Sequence, residues 1–189
     1  PVIFRRSNGF TAATATFTPW SGGAYDSDLY REAVDAIARN AAKLKGSHVV
    51  QCDGLRGKTD DRLNRLLQVQ PNPYMTAYDL LYKLVTHYFL YNNAFASLPR
   101  DDSGHLDAIY PIHAANMEFL SDPDGTVYCR FFFSGSHFVL LPYREVIHLR
   151  RHFNSNDLRG DSNKAILPAL ELAHTQNEGI VQGMKNGAR

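Results

Sequence analysis

His148 and His152, spaced H-x-x-x-H, are the first residues of this chain whose types and spacing could do chemistry. On an α-helix that spacing places two imidazoles on one face, where they can ligate zinc. Here the pair spans a strand-like run and its exit, with no glutamate between them, so a metal site is not expected. The run Arg150, Arg151, His152 could meet a phosphate, but a solvated strand end is the simpler account. Ser134, Gly135 and Ser136 have the composition of a nucleophile loop. They lack the G-x-S-x-G elbow, however, and fall where a hairpin turn is expected. Asp101 with Asp102, and Asp122 with Asp124, form carboxylate pairs, yet both pairs lie in glycine-containing turns where Asp is favoured for backbone reasons. No G-x-x-x-x-G-K-[ST] phosphate loop occurs. Cys52 and Cys129 are far apart and read as reduced, buried thiols rather than a disulfide framework. The sequence thus offers no catalytic residue, no cofactor-binding residue and no metal ligand set.

Composition narrows the field further. The 189 residues suffice for one sizeable domain, or one domain with an appendage. Twenty basic and 19 acidic residues leave a net charge of +1, so no global field marks nucleic acid or an anionic membrane as a partner. No apolar run approaches the ~20 residues that span a bilayer. The opening "PVIFRRSNGF" places its charges after its apolar residues, unlike a signal peptide. A soluble, intracellular protein is expected, and the missing initial Met suggests a fragment at the N-terminal end.

The elements follow from periodicity. Residues 1–26, rich in Thr, Ala, Gly and Ser, read as an extended N-terminal arm. A helix then runs over about 28–45, with Ser27 as N-cap and Leu29, Ala33, Ala36, Ile37, Ala41 and Leu44 as its apolar face. Asn40 interrupts that face as a satisfied amide, and Gly46 supplies a left-handed C-terminal position. "SHVVQC" reads as a strand and "DGLRGKT" as a turn. Asp60 or Asp61 caps a short helix ended by Pro71 and Pro73, between which Asn72 is held extended. Thr76, with Asp79 three residues on, opens a capping-box helix over 76–91. Its face of Leu80, Leu81, Leu84, Val85, Tyr88 and Phe89 covers about half the cylinder, leaving Thr86 and a solvated His87 opposite. From Asn93 the period changes to two. Strands are expected at "AFASLPR", "LDAIYPI", "MEFL", "TVYCRFFF", "FVLL" and "VIHLR", joined by short turns that make neighbours antiparallel. After a polar stretch from Ser155, a last helix covers about 164–185, with a polar, bent or partly buried middle around Gly179. The class is α+β: helices packed on a mainly antiparallel sheet, with a C-terminal helix. The division is an arm at 1–26, an α+β domain at 27–160 and a terminal helix at 161–189.

Four stretches resemble one family, the portal proteins of tailed bacteriophages, in particular those of long-tailed phages and prophages. They are "YREAVDAIARNAAKLKGSHVV", "LNRLLQVQPNPYMTAYDLLYKLVTHYFLYNNAFASLPRDDSGHLDAIYPI", "LPYREVIHLRR" and "LPALELAHTQNEGIVQGMKNGAR". Pro71, Asn72, Pro73, Thr76, Asn93 and His148 are the structural signature positions in these stretches. Two departures stand out. Asn92 occupies a place where the family usually has Gly before Asn-Ala, and "LRGDSNKAILP" replaces a more compact Gly-x-Ser-Pro turn.

The resemblance implies a structural role without catalysis or cofactor: a subunit, usually one of twelve, of the ring at one capsid vertex. Double-stranded DNA passes non-specifically through such a ring, driven by a separate terminase. The implied partners are further copies of the chain, the terminase large subunit, capsid or scaffold proteins and head–tail connector proteins, with no membrane. The implied location is the virion, and the bacterial cytoplasm during assembly. "PNPYMT" and its helix would build the outer wing. Lys185 and Arg189, at the end of the last helix, would be the residues nearest the channel. Family members are about twice as long, so further channel helices and a crown are expected beyond this chain. The alternative is an unrelated α+β ligand-binding or enzymatic domain.

Overall fold

The computed structural model describes residues 11–12, 25, 27–52, 55–58, 61–135 and 137–187. In chain order the first half holds β1 (Thr11–Ala12), α1 (Asp28–Ala41), β2 (Val49–Cys52), β3 (Leu55–Lys58), α2 (Arg62–Gln68) and α3 (Ala77–Tyr91). β4 (Asn93–Ser97), β5 (Tyr110–Ile112), β6 (Asn116–Ser121), β7 (Val127–Phe132) and β8 (Phe138–Pro142) follow. A 3-10 turn at Tyr143–Glu145 then leads to β9 (Val146–Arg150). A second such turn, Asn163–Ile166, leads into α4 (Leu167–Gly187). The expected α+β class, with antiparallel strands, is the one observed.

The chain forms two compact units, one of Pro1–Pro19 and Phe95–His148, the other of Trp20–Ala94 and Leu149–Arg189. In the first, the strands do not build a single sheet. β1-β6-β7-β8 form one sheet, and β5-β4-β9 another. Period two explains the packing of the larger sheet: Met117, Phe119, Cys129 and Phe131 point inward, and the register sets Met117 against Phe131 and Phe119 against Cys129. On the other face Glu118 lies opposite Arg130 and pairs with it, while the Arg130 guanidinium covers the Phe132 ring at 5.1 Å. The β6–β7 hairpin closes through Asp122–Gly125, with Gly125 at φ 80, and the β7–β8 turn carries Gly135 at φ 81. Of the arm expected at 1–26, β1 pairs with β6, Thr11 opposite Ser121, and Tyr25 forms part of a turn. The rest of the arm lies outside the described residues.

In the second unit α1 packs on α3. The buried residues of α1 are Val34 and Ala38, followed by Ala42. The Tyr30 hydroxyl donates to the Phe89 carbonyl (2.8 Å), and Tyr82 donates to Asp35 (2.6 Å). The expected face of α1 is therefore the wrong one: Leu29 and Ile37 are exposed, as is Leu44 beyond the helix end. Small Val and Ala side chains let α3 approach closely, so bulk did not mark the buried side. Asn40 is a satisfied amide, its Nδ2 donating to the Ala36 carbonyl (2.8 Å), but on an exposed surface. The α1 helix ends at Ala42 in right-handed conformation, not at a left-handed Gly46. Gly46 instead lies against Leu67, and its carbonyl accepts from Gln68 (2.9 Å). The segment read as a turn contains β3, which pairs with β2 in a two-stranded hairpin. Asp61 caps α2 as expected, accepting from the Asn64 amide at 3.0 Å. In α3, Thr86 and His87 are buried rather than solvated, because the helix is covered on more sides than its stripe of large apolar residues indicates. The last helix begins at Leu167, after the 3-10 turn, and runs through Gly179 as one element with Leu172, Ile180, Val181 and Met184 exposed.

Candidate assembly site

The two ends of α3 carry most of the signature residues, and each end is fixed by polar groups. At its start, Pro71 and Asn72 are buried. The Asn72 side chain accepts from the Tyr74 amide (3.0 Å), and an Asn72–Met75 bridge folds Pro73 and Tyr74 into a tight turn. The segment is thus a closed turn, tighter than an extended connector. Thr76 then makes a full capping box: its Oγ1 accepts from the Asp79 amide (3.2 Å), and the Asp79 carboxylate accepts from the Thr76 amide (2.9 Å) and hydroxyl (2.6 Å). Those bonds hold the Asp79 carboxyl below the usual carboxylate range.

At the other end, Asn92 takes a left-handed conformation (φ 55, ψ 10) as the C-cap. Asn suits that geometry, since it adopts it more readily than other residues with a Cβ. The chain returning after β9 docks on this cap. The Asn92 carbonyl accepts from the Arg151 amide (3.0 Å), and Asn92 Nδ2 donates to the Asp161 carbonyl (2.7 Å) and to Asn163 (2.6 Å). Asn93 exchanges two bonds with Gly160, accepting its amide (2.8 Å) and donating to its carbonyl (3.2 Å). Asn163 Nδ2 reaches the last carbonyls of α3, Phe89 (2.9 Å) and Leu90 (3.0 Å), which a helix end leaves without intrahelical partners. Arg151 lies over the Phe89 ring at 4.7 Å. Gly160 has no room for a side chain: a Cβ there would stand 2.2 Å from the Asn92 carbonyl oxygen and 2.5 Å from that of Arg151. This clasp sets the position from which α4 departs. The Asp161 carboxyl is held low by the Ser155 hydroxyl. Among the described residues, Asn92 Oδ1 is buried without a hydrogen-bond partner.

His148 sits elsewhere, in an aromatic cluster. Its ring stacks on Phe95 (4.2 Å between centroids), and its Nδ1 meets the Tyr143 hydroxyl (3.1 Å), with Phe119 alongside. His152 follows β9 at φ 50, and its Nε2 faces an Arg151 guanidinium nitrogen at 2.7 Å. Each imidazole of the H-x-x-x-H pair thus has a neighbour other than a metal, and the described residues contain no cluster of three or more metal-ligating groups. Asp101 Oδ1 accepts the Ser103 and His105 amides, so this carboxylate builds its turn. Cys129 is a free, buried thiol, pushed up to about 12 by desolvation. Lys185 lies in the last turns of α4, and Arg189 lies outside the described residues. Sequence reading missed Gly160 and Asn163 and gave Arg151 to a phosphate or a solvated strand end; the Asn-Asn pair at the end of a helix was the signal that something must dock there.

This chain uses its most constrained polar residues to join its elements to one another. It belongs to the phage portal protein family, whose model, described as "Phage portal protein", matches residues 29–189. Over 88 residues it is 30% identical to the portal protein of Enterobacteria phage HK97, a match covering 47% of this chain and 20% of that protein. Among solved structures, it is similar to a chain in the virion of a native gene transfer agent particle. The TM-score is 0.62 at 15% identity, with 84% of this chain and 42% of the other covered. It is also similar to chains in the neck of the empty particle computed with C6 symmetry (TM-score 0.61, 16% identity, 82% and 42% covered). The neck of the native particle computed with C12 symmetry gives a TM-score of 0.58 at 16% identity, with 82% and 41% covered. The chain therefore spans less than half the length of the proteins it matches.

Proposed function

We propose that this chain forms the wing-like part of a portal ring subunit at one capsid vertex, with a structural role and no catalytic step. The family match over 29–189 carries the reading, since it takes in every helix from α1 onward and ends on α4. In this reading 1–26 is an arm, 27–160 the wing-like domain, and 161–189 the helix leading toward the channel. Lys185 and Arg189 are then the residues nearest DNA. The partners are further copies in a twelve-membered ring, the terminase large subunit, capsid or scaffold proteins and head–tail connectors. Duplex DNA passes without being read. A net charge of +1 suits a channel wall, because a strongly basic surface would hold phosphates through counterion release and stall the duplex.

Gold labelling of assembled particles tests the reading. Label confined to one vertex, on closed rings, is expected; label spread over the shell overturns it. Duplex DNA should bind with a Kd of ~10⁻⁴ M or weaker at physiological salt and without sequence preference. A sequence-specific complex at nanomolar protein would mean a DNA-reading module instead.

A further inference from the structure

Among the exposed apolar surfaces of the second unit, which include residues of α4 and β2, two lie on α1 and at the start of α3. One is the outer stripe of α1, with Leu29 61% and Ile37 43% exposed, the exposed Ala33 and Ala36 between them, and Leu44 (69%) just past the helix end. The stripe lies roughly 130° round the helix from Val34 and Ala38, which meet α3, so it faces away from that contact. The other patch is a knob at the start of α3, with Tyr74 85%, Val69 61% and Tyr78 42% exposed. The knob is rigid. Tyr74 projects from the turn locked by buried Pro71 and Asn72, the Ala77 amide donates to the Val69 carbonyl (3.0 Å), and Tyr78 stacks on Tyr82. A backbone turn fixed before binding loses little entropy on docking, and exposed aromatic side chains are favoured interface anchors.

We infer that the Tyr74 knob of one copy docks on the α1 stripe of the next, making a head-to-tail contact between copies of this chain. The inference rests on the ring reading above and deepens it by assigning the surfaces. Cyclic assemblies beyond a two-fold require a heterologous interface, in which two different patches of one subunit meet. The α1 stripe and the knob supply two such patches on different elements of one unit. The area fits as well. Stripe and knob together present on the order of 800 Å² of exposed apolar side chain, while a standard interface removes about 1,200–2,000 Å² in total, somewhat over half of it apolar.

The test is photo-crosslinking with p-benzoylphenylalanine in place of Tyr74 at high protein concentration, with adducts mapped by mass spectrometry. Intermolecular adducts on 29–44 are expected, and Ile37→Glu should cut their yield about tenfold by placing a charge in the contact. A mixing experiment then reads the hand of the contact. Ile37→Glu and Tyr74→Asp each retain one intact patch, so the two variants mixed should form a heterodimer that neither forms alone. Adducts on residues 1–24 of the same molecule, on another protein, or elsewhere on a second copy overturn the assignment, as does a chain that stays unlinked. Rings whose adducts avoid α1 sink this inference and leave the ring reading standing. Particles with label spread over the shell sink the ring reading itself.

Discussion

Gly160→Ala is the substitution that the clasp forbids most clearly. The new methyl would stand 2.2 Å from the Asn92 carbonyl oxygen and 2.5 Å from that of Arg151, both backbone atoms. Ordinary carbon–oxygen contact is about 3.2 Å, so the loop must lift by roughly an ångström, which ordinary hydrogen-bond geometry does not survive. The bonds at risk are Gly160 to Asn93 in both directions and Asn92 Nδ2 to the Asp161 carbonyl. At about 1 kcal/mol each, the loss comes to about 3 kcal/mol. That is a large share of the roughly 5–15 kcal/mol by which a domain is stable. Urea unfolding followed by intrinsic fluorescence should show the midpoint falling with the slope unchanged. Gly179→Ala is the internal control, since nothing lies within 4 Å of its Cβ, and it should stabilise α4 by up to about 1 kcal/mol. If Gly160→Ala costs less than about 1 kcal/mol, the close packing of the loop on Asn92 is refuted.

Asn92→Gly should be within about 1 kcal/mol of the parent, because relief of left-handed strain and of the orphaned Oδ1 offsets two lost bonds, whereas Asn92→Ala should be worse than Gly by about 1 kcal/mol. Thermal melts of the two variants decide this, and Ala equal to or better than Gly contradicts it. Thr76→Ala should cost about 1 kcal/mol and change the acid limb of the stability curve. Asp79 has a lowered folded-state pKa, so its contribution is full above the ordinary carboxylate range and fades as pH falls through the folded value. Melts across that range should fall less steeply in the variant, and an unchanged slope counts against the capping box. In a Cys52→Ser background, Cys129 should react with a thiol reagent only as fast as the protein opens, because burial keeps its thiol protonated up to about 12. Rapid labelling of the folded protein would mean that the strand core is open.

Much of this fold could be read because local rules agree with one another. "PNPYMT" with Asp79 three residues later specifies a helix start that owes nothing to distant contacts, and the structure forms it bond for bond. The strands β6 and β7 likewise follow period two, and Gly-bearing turns join β6 to β7 and β7 to β8. What could not be read depends on partners far along the chain. The buried side of α1 is Val34 and Ala38, which bulk and periodicity rank below Leu29 and Ile37, because what counts is how near α3 can come. His87 is polar in sequence and buried in structure for a similar reason. Of the site, Asn93 was visible as a signature, while its bonds to Gly160 join residues 67 apart in the chain.

The Asn92–Arg151 bond has a bearing on how such a protein can change over generations. It ties together the residues on either side of the excursion through Phe95–His148. Lengthening a loop within that excursion costs little chain entropy, since each doubling adds only about 0.6 kcal/mol. Turns such as Asp101–Gly104 and Asp122–Gly125 are free to grow, shrink or exchange sequence while the clasp at Asn92 and Arg151 keeps its bonds. Insertions should accumulate there, and the clasp should be the last place to accept one.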